Sequence, residues 1–148
     1  MIRMQKAADP EYATVKAFLS FYTNRYSNLE NLPPEKRPIA CLEILEKMGM
    51  KTAIRGLRQA INDCVEESFH FDHKEVERLD SELRARGIVT LSELRRRYSK
   101  AYAKIKKRAR IKNDTEYYLI QNVLGDPTEK TPEECQLLEE MINEYEGI

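Results

Sequence analysis

The sequence predicts an all-α protein, a single domain over residues 1–148 built as a bundle or array of six to seven amphipathic helices with short loops. Two observations carry this expectation. Helix start and stop signals recur from end to end, with apolar residues at three- and four-residue spacing between them. No stretch sustains the period-2 alternation of a half-buried strand, and no Asn-Gly or Asp-Gly hairpin turn occurs.

Asp9-Pro10 reads as an N-cap followed by proline at the first helical position, opening the series Val15, Phe18, Leu19, Tyr22 and Tyr26. Pro33-Pro34 makes residues 28–34 a loop, because proline lacks the N–H that a helix interior needs. A second helix is expected from about Glu35 to Met48, stopping at Gly49, and a third from about Lys51 to Phe69. Asp72 with Glu75 forms a capping box for a fourth, ending at Arg86 with Gly87 beyond it. Thr90 with Glu93 repeats the device for a fifth, which ends near Lys112 or runs on as one rod to Leu124. Asn113 with Glu116 starts a sixth, Thr115 to Leu124, closed by Gly125. Thr131-Pro132-Glu133-Glu134 combines a cap, proline at N1 and glutamate at N3, and opens an acidic final helix.

At 148 residues the chain is long enough for a sizeable core, and 41% hydrophobic content permits one. Charged residues reach 34%, which suits long solvated helices. Cys41, Cys64 and Cys135 are odd in number, widely spaced and without a CxxC, which fits reduced thiols rather than a disulfide framework. No apolar run approaches a membrane span, and Met1 to Asp9 shows no secretory h-region, so a cytoplasmic location is expected. Gly-rich phosphate loops and serine elbow motifs are absent, which sets aside P-loop and Rossmann nucleotide enzymes.

The charge distribution is uneven. Residues 95–112 hold ten Lys or Arg and no acid, so the rest of this neutral chain carries −10. Helical phase gathers Leu94, Tyr98, Ala101, Tyr102, Ile105 and Ala109 within an arc of about 100°. That leaves Arg95, Arg96, Arg97, Lys100, Lys104, Lys107, Arg108 and Arg110 as candidate partner-binding cations on the outer circumference. Both tyrosines fall on the buried stripe, which argues against base stacking on single strands. Phosphate contacts need only cations in register. A sequence pI near 6.8 lies below the basic values of dedicated nucleic-acid-binding domains. Two acidic segments, 62–82 and 126–148, each carry eight acids and are the internal candidates for neutralising the run.

In the third helix Ile54, Leu57, Ile61, Cys64 and Val65 form a core stripe. Gly56 on the far side costs about 1 kcal/mol relative to alanine and implies the close approach of another helix. Asp63 then lies near a second interface, and Gly56, Gln59, Asp63 and Glu67 form a candidate cleft.

Glu43-x-x-Glu46 and Glu77-x-x-Asp80 place carboxylates three residues apart on two helices. This four-residue pattern resembles the metal site of all-α nucleotide pyrophosphatases of the MazG kind, which implies acids holding Mg²⁺ against a triphosphate. Helical phase puts Cys41, Leu42, Ile44, Leu45 and Met48 on the buried side, with Glu43 and Glu46 facing away. His70 and His73 straddle the cap at Asp72 and read as helix punctuation rather than as a zinc pair. Tyr117 and Tyr118 point about 100° apart, and core packing is the expected role for the pair.

The functional expectation is a non-catalytic cytosolic protein, of the adaptor, inhibitor or immunity type, that binds a protein partner through a charged helical surface. It needs no cofactor and has no bound metal or catalytic residues assigned. Nucleic-acid binding by residues 95–112 is the alternative, and a metal-dependent nucleotide hydrolase using the carboxylate pairs is the third. Residues 132–146, where Leu137, Leu138, Met141, Ile142 and Tyr145 oppose a row of glutamates, are the candidate homodimer contact.

Overall fold

The structure is a computed structural model that describes residues 10–147. Every regular element among them is helical. The α-helices are α1 (Pro10–Tyr26), α2 (Pro38–Met48), α3 (Met50–Glu67), α4 (His73–Ala85), α5 (Leu91–Tyr98), α6 (Lys100–Arg108), α7 (Asp114–Gly125) and α8 (Pro132–Glu146). Among the described residues there are thus eight, against six to seven expected, with 3₁₀ turns at Leu29–Asn31, Pro34–Lys36 and Ser68–His70. The expected cap at Asp9 lies outside the described residues.

The chain divides into two compact units. The first comprises the described part of Met1–Ser68 together with Leu83–Val89, and the second comprises Phe69–Glu82 with the described part of Thr90–Ile148.

In the first unit, α1 buries Val15, Phe18, Leu19 and Tyr22 of the series expected for it, together with Tyr12, while Tyr26 is only half-buried. It packs on α3, which buries Ala53, Ile54, Leu57, Ile61, Cys64 and Val65. The start of α2 moves from Glu35 to Pro38, because proline cannot sit inside a helix but is favourable at its first position. Gly49 alone joins α2 to α3 with φ of +145°, a conformation open to glycine and strained for side chains. The two helices then lie so close that a Cβ on Gly56 would come within 2.3 Å of Leu45 Cδ1. The mid-helix glycine makes room for the tip of the Leu45 side chain, and α2 is the neighbour it admits. The end of α4 closes with a Schellman motif: Ile88 N–H donates to Leu83 O (2.9 Å), Gly87 N–H to Arg84 O (3.1 Å), and Gly87 takes φ of +69°.

The phase of α2 differs from expectation. Leu42 is its one buried residue, while Ile44 is 51% and Met48 69% exposed and Cys41 also faces solvent. Glu46 turns inward instead, accepting from Tyr12 Oη (2.6 Å) and Lys16 Nζ (3.0 and 3.1 Å). An eleven-residue helix with apolar residues on two adjacent stripes has two workable phases, and this ion-paired one wins.

The second unit has a core of Tyr102, Ile105, Ile111, Leu119, Ile120, Val123, Leu138 and Met141, with Val76, Leu79, Leu91 and Leu94 also buried. The basic segment is not one helix. Ser99 is extended (φ −75°, ψ 123°), ends α5 and caps α6 by accepting from Tyr102 N–H (3.0 Å). Ala109 is left-handed (φ 58°), and residues 110–113 are non-helical before Asn113 caps α7 through Glu116 N–H (2.9 Å). Residues 91–124 are therefore three helices. Thr131 caps α8 through Glu134 N–H (3.1 Å), as its sequence implies.

Candidate functional site

Ser99 divides the cationic run into an inner and an outer half. On the inner side, Arg95, Arg96 and Arg97 were expected on the outer surface of a helix, and that placement is corrected. Arg95 is only 3% exposed, its guanidinium 4.9 Å over the Phe69 ring. Arg96 grips Glu93 with two bonds, Nε to Oε1 and Nη2 to Oε2, both 2.8 Å, and reaches Glu134 Oε1 through Nη1 at 3.2 Å. Arg97 Nε donates to Glu93 Oε2 at 2.7 Å. For Arg96 and Arg97 the physical reason is Glu93, 1% exposed in the first turn of α5, whose charge is tolerated there only with cations beside it.

Glu134 extends this network onto α8. Its Oε2 accepts from Tyr102 Oη (2.6 Å) and lies 3.4 Å from Lys106 Nζ. Burial opposes its ionisation, but the Tyr102 phenol, Lys106 and Arg96 together hold its carboxyl below the ordinary glutamate range. Burial, then the Glu134 carboxylate, pushes the Tyr102 phenol well above its ordinary value. Neither Glu93 nor Glu134 bonds back to its own cap in the manner of a capping box. Both side chains serve α5, α6 and α8 instead.

The outer half behaves differently. Arg108 is exposed but donates to Glu116 Oε1, and through Nε to Arg110 O (3.0 Å). Lys100, Lys104, Lys107 and Arg110 are exposed, and none has an ion pair among the described residues; the same holds for Lys112. Positions 100, 104 and 107 share one face of α6, with the rise from first to last about 10 Å. Ala103 is exposed with them, and no aromatic ring is, because Tyr102 belongs to the core. This face can attract anions by charge alone; it has no ring on which a base could stack.

The candidate cleft on α3 resolves into separate contacts. Gly56 faces Leu45, Gln59 Nε2 donates to Asp63 Oδ1 (3.1 Å) on the exposed surface, and Glu67 Oε1 accepts from Tyr22 Oη (3.0 Å). Asp63 is thus a surface carboxylate rather than one held at an interface. Nearby Cys64 is buried, and burial, with Glu67 and Asp63, pushes its thiol up to about 12. All three cysteines are free thiols.

The carboxylates of the pyrophosphatase-like pattern have other partners. Glu46 holds Tyr12 and Lys16, and Glu43 is exposed. Glu77 Oε1 lies 2.6 Å from His73 Nε2. Asp80 accepts Ser92 N–H (3.2 Å) and the Ser92 hydroxyl at the start of α5. Burial raises its carboxyl above the ordinary range, and Asp126 adds to the shift. Among the described residues no three His, Cys, Asp or Glu come together in a group that could hold a metal. Asp72 Oδ1 caps α4 through Glu75 N–H (2.9 Å), as expected of punctuation.

Core packing was expected of the tyrosine pair; half-buried Tyr117 packs against the core, and Tyr118 lies outside it. Tyr118 is exposed and stacks on His73 (centroids 4.6 Å), while Tyr117 stacks on Tyr145 (5.3 Å) and donates to Glu146. On α8, Leu138 and Met141 are buried and Leu137 and Ile142 pack beside them within the same unit. Its outer side presents Glu133, Glu139, Glu140, Glu144 and Glu146, with Tyr145 among them.

No helix among the described residues is long and apolar enough to cross a membrane. Compared with protein-family models, curated proteins and solved structures, the chain matches none of them.

Proposed function

We propose that this chain is a non-catalytic binding protein that engages an acidic surface on a protein partner through the outer face of α6 and the segment after it. One observation carries the reading: Lys100, Lys104, Lys107 and Arg110 have no ion pair among the described residues, whereas Arg96, Arg97, Lys106 and Arg108 of the same basic run do. The inner arginines, Lys106 and Arg108 all have partners, so the unpaired set is not explained by a shortage of acids.

A protein suits this surface better than a nucleic acid does. The same unit exposes Glu133, Glu139, Glu140, Glu144 and Glu146 on α8, a field that repels a polyanion. A mixed surface favours a partner that also carries both signs. Three of the four cations are lysines, compact point charges rather than the arginine forks that read base edges or grip phosphate in bidentate fashion.

The test uses Lys100→Glu/Lys104→Glu/Lys107→Glu against two probes, a helical peptide bearing glutamates at i, i+4 and i+7, and a 20-base-pair DNA duplex. The wild-type chain should bind the peptide with salt-sensitive affinity, and the triple variant should lose that binding. DNA retained at about 50 mM salt, with affinity falling by about 0.9 log unit per log unit of salt for each phosphate neutralised, would favour the nucleic-acid reading instead. Failure to bind either probe would leave the row as ordinary solvated surface and end the proposal.

A further inference from the structure

Within the second unit, the first turns of α4 and α7 enclose a cleft of about 590 Å³ that none of the preceding roles uses. Its size falls in the range of pockets for small organic ligands. Phe71, His73 and Tyr118 supply aromatic wall, and Arg95 and Lys74 supply positive charge.

We propose that this cleft binds a small planar aromatic compound carrying a carboxylate. Tyr118 is 41% exposed, so its ring offers a surface for a flat ligand although the imidazole of His73 already stacks on it. Arg95 is a fixed charge in the lining, almost fully buried and held over Phe69. It is engaged within the protein. Lys74 is exposed and has no ion pair among the described residues.

Two acids also line the cleft, and each already has a donor. Asp72 Oδ1 accepts Glu75 N–H at 2.9 Å, and Asp114 Oδ1 accepts Tyr145 Oη at 2.6 Å. Lys74 is therefore the one charged side chain of the lining with no hydrogen bond or ion pair among the described residues, and it is the charge open to a ligand. A further sign of an incomplete site is His73 itself. With Nε2 held by Glu77, its Nδ1 is one of two buried side-chain polar atoms among the described residues with no hydrogen-bond partner. Buried polar atoms are rarely left unmatched.

The experiment titrates the full chain with 2-naphthoate, 2-naphthylmethylamine and cyclohexanecarboxylate, followed by calorimetry and by amide NMR shifts. Saturable binding of 2-naphthoate is expected, weakened at least about tenfold in Lys74→Glu and in Tyr118→Ala and unchanged in a charge reversal at the exposed Lys51, Lys51→Glu. Both altered side chains are exposed, and circular dichroism verifies their folding; Lys74→Gln replaces Lys74→Glu if the reversal unfolds the chain. Equal or tighter binding of the amine overturns the charge assignment, and equal binding of the cyclohexane acid overturns the aromatic one. Absence of saturation up to about 10 mM, or binding indifferent to both substitutions, overturns the site.

Discussion

Asp80 shows how much a single side chain's role depends on what lies beside it. As the second member of an acidic pair it invites a metal; in the structure it accepts two hydrogen bonds from Ser92 and anchors the first turn of α5. A negative charge there is favoured by the helix dipole, yet burial and Asp126 dominate and raise its folded pKa. A raised carboxyl contributes stability that is complete below the unfolded value near 4 and is lost as pH rises through the folded value. Asp80→Asn removes that loss. Its stability relative to wild type, measured by urea unfolding at a series of pH values, should improve from about pH 4 upward. A flat or falling difference would mean that Asp80 is not a buried acid with a raised pKa. Glu134 and Glu46, both depressed, titrate in the opposite sense in both proteins and cancel in the comparison.

At the scale of elements, caps were the most legible feature of the sequence. Asp72, Thr90, Asn113 and Thr131 each accept the backbone N–H three residues on, because a short polar side chain before a helix has few better uses. Ser99 was missed for an equally physical reason. It sits in mid-pattern, with no glutamate three residues later, and the periodicity through Leu94, Tyr98 and Tyr102 runs smoothly across it. Only tertiary packing reveals the break. The end of α6 is weaker than its start, since Ala109 occupies a left-handed position that glycine usually fills. Relief of about 1–2 kcal/mol of steric cost exceeds the entropic cost of glycine of about 0.4–1 kcal/mol. Ala109→Gly should therefore stabilise the chain by roughly 0.5–1 kcal/mol in a denaturant midpoint measurement, whereas destabilisation would contradict the left-handed assignment.

For the molecule as a whole, the all-α class was legible because helical periodicity and punctuation agree throughout. The phase of α2 was not, since Leu42 and Leu45 serve either of two stripes and the inward turn of Glu46 depends on Tyr12 and Lys16, far away in sequence. The basic run was legible as a feature but not as two features. Charge counting finds ten cations and the acids able to oppose them, but cannot say which cation meets which acid. Glu93 and Glu134 decide that by lying buried beside α5 and α6, drawing in Arg96, Arg97 and Lys106 while Lys100, Lys104 and Lys107 remain outside.

That division between structural and surface charge is tested most directly by comparing thermal unfolding of two neutralised variants. Arg96→Gln/Arg97→Gln strips a buried carboxylate of its partners, at about 3–5 kcal/mol, which corresponds to a melting temperature lower by roughly 10 °C or more. Lys100→Gln/Lys104→Gln/Lys107→Gln changes exposed positions and should melt within about 2 °C of wild type. Equal shifts in the two variants, or a larger loss from the lysine set, would contradict the account.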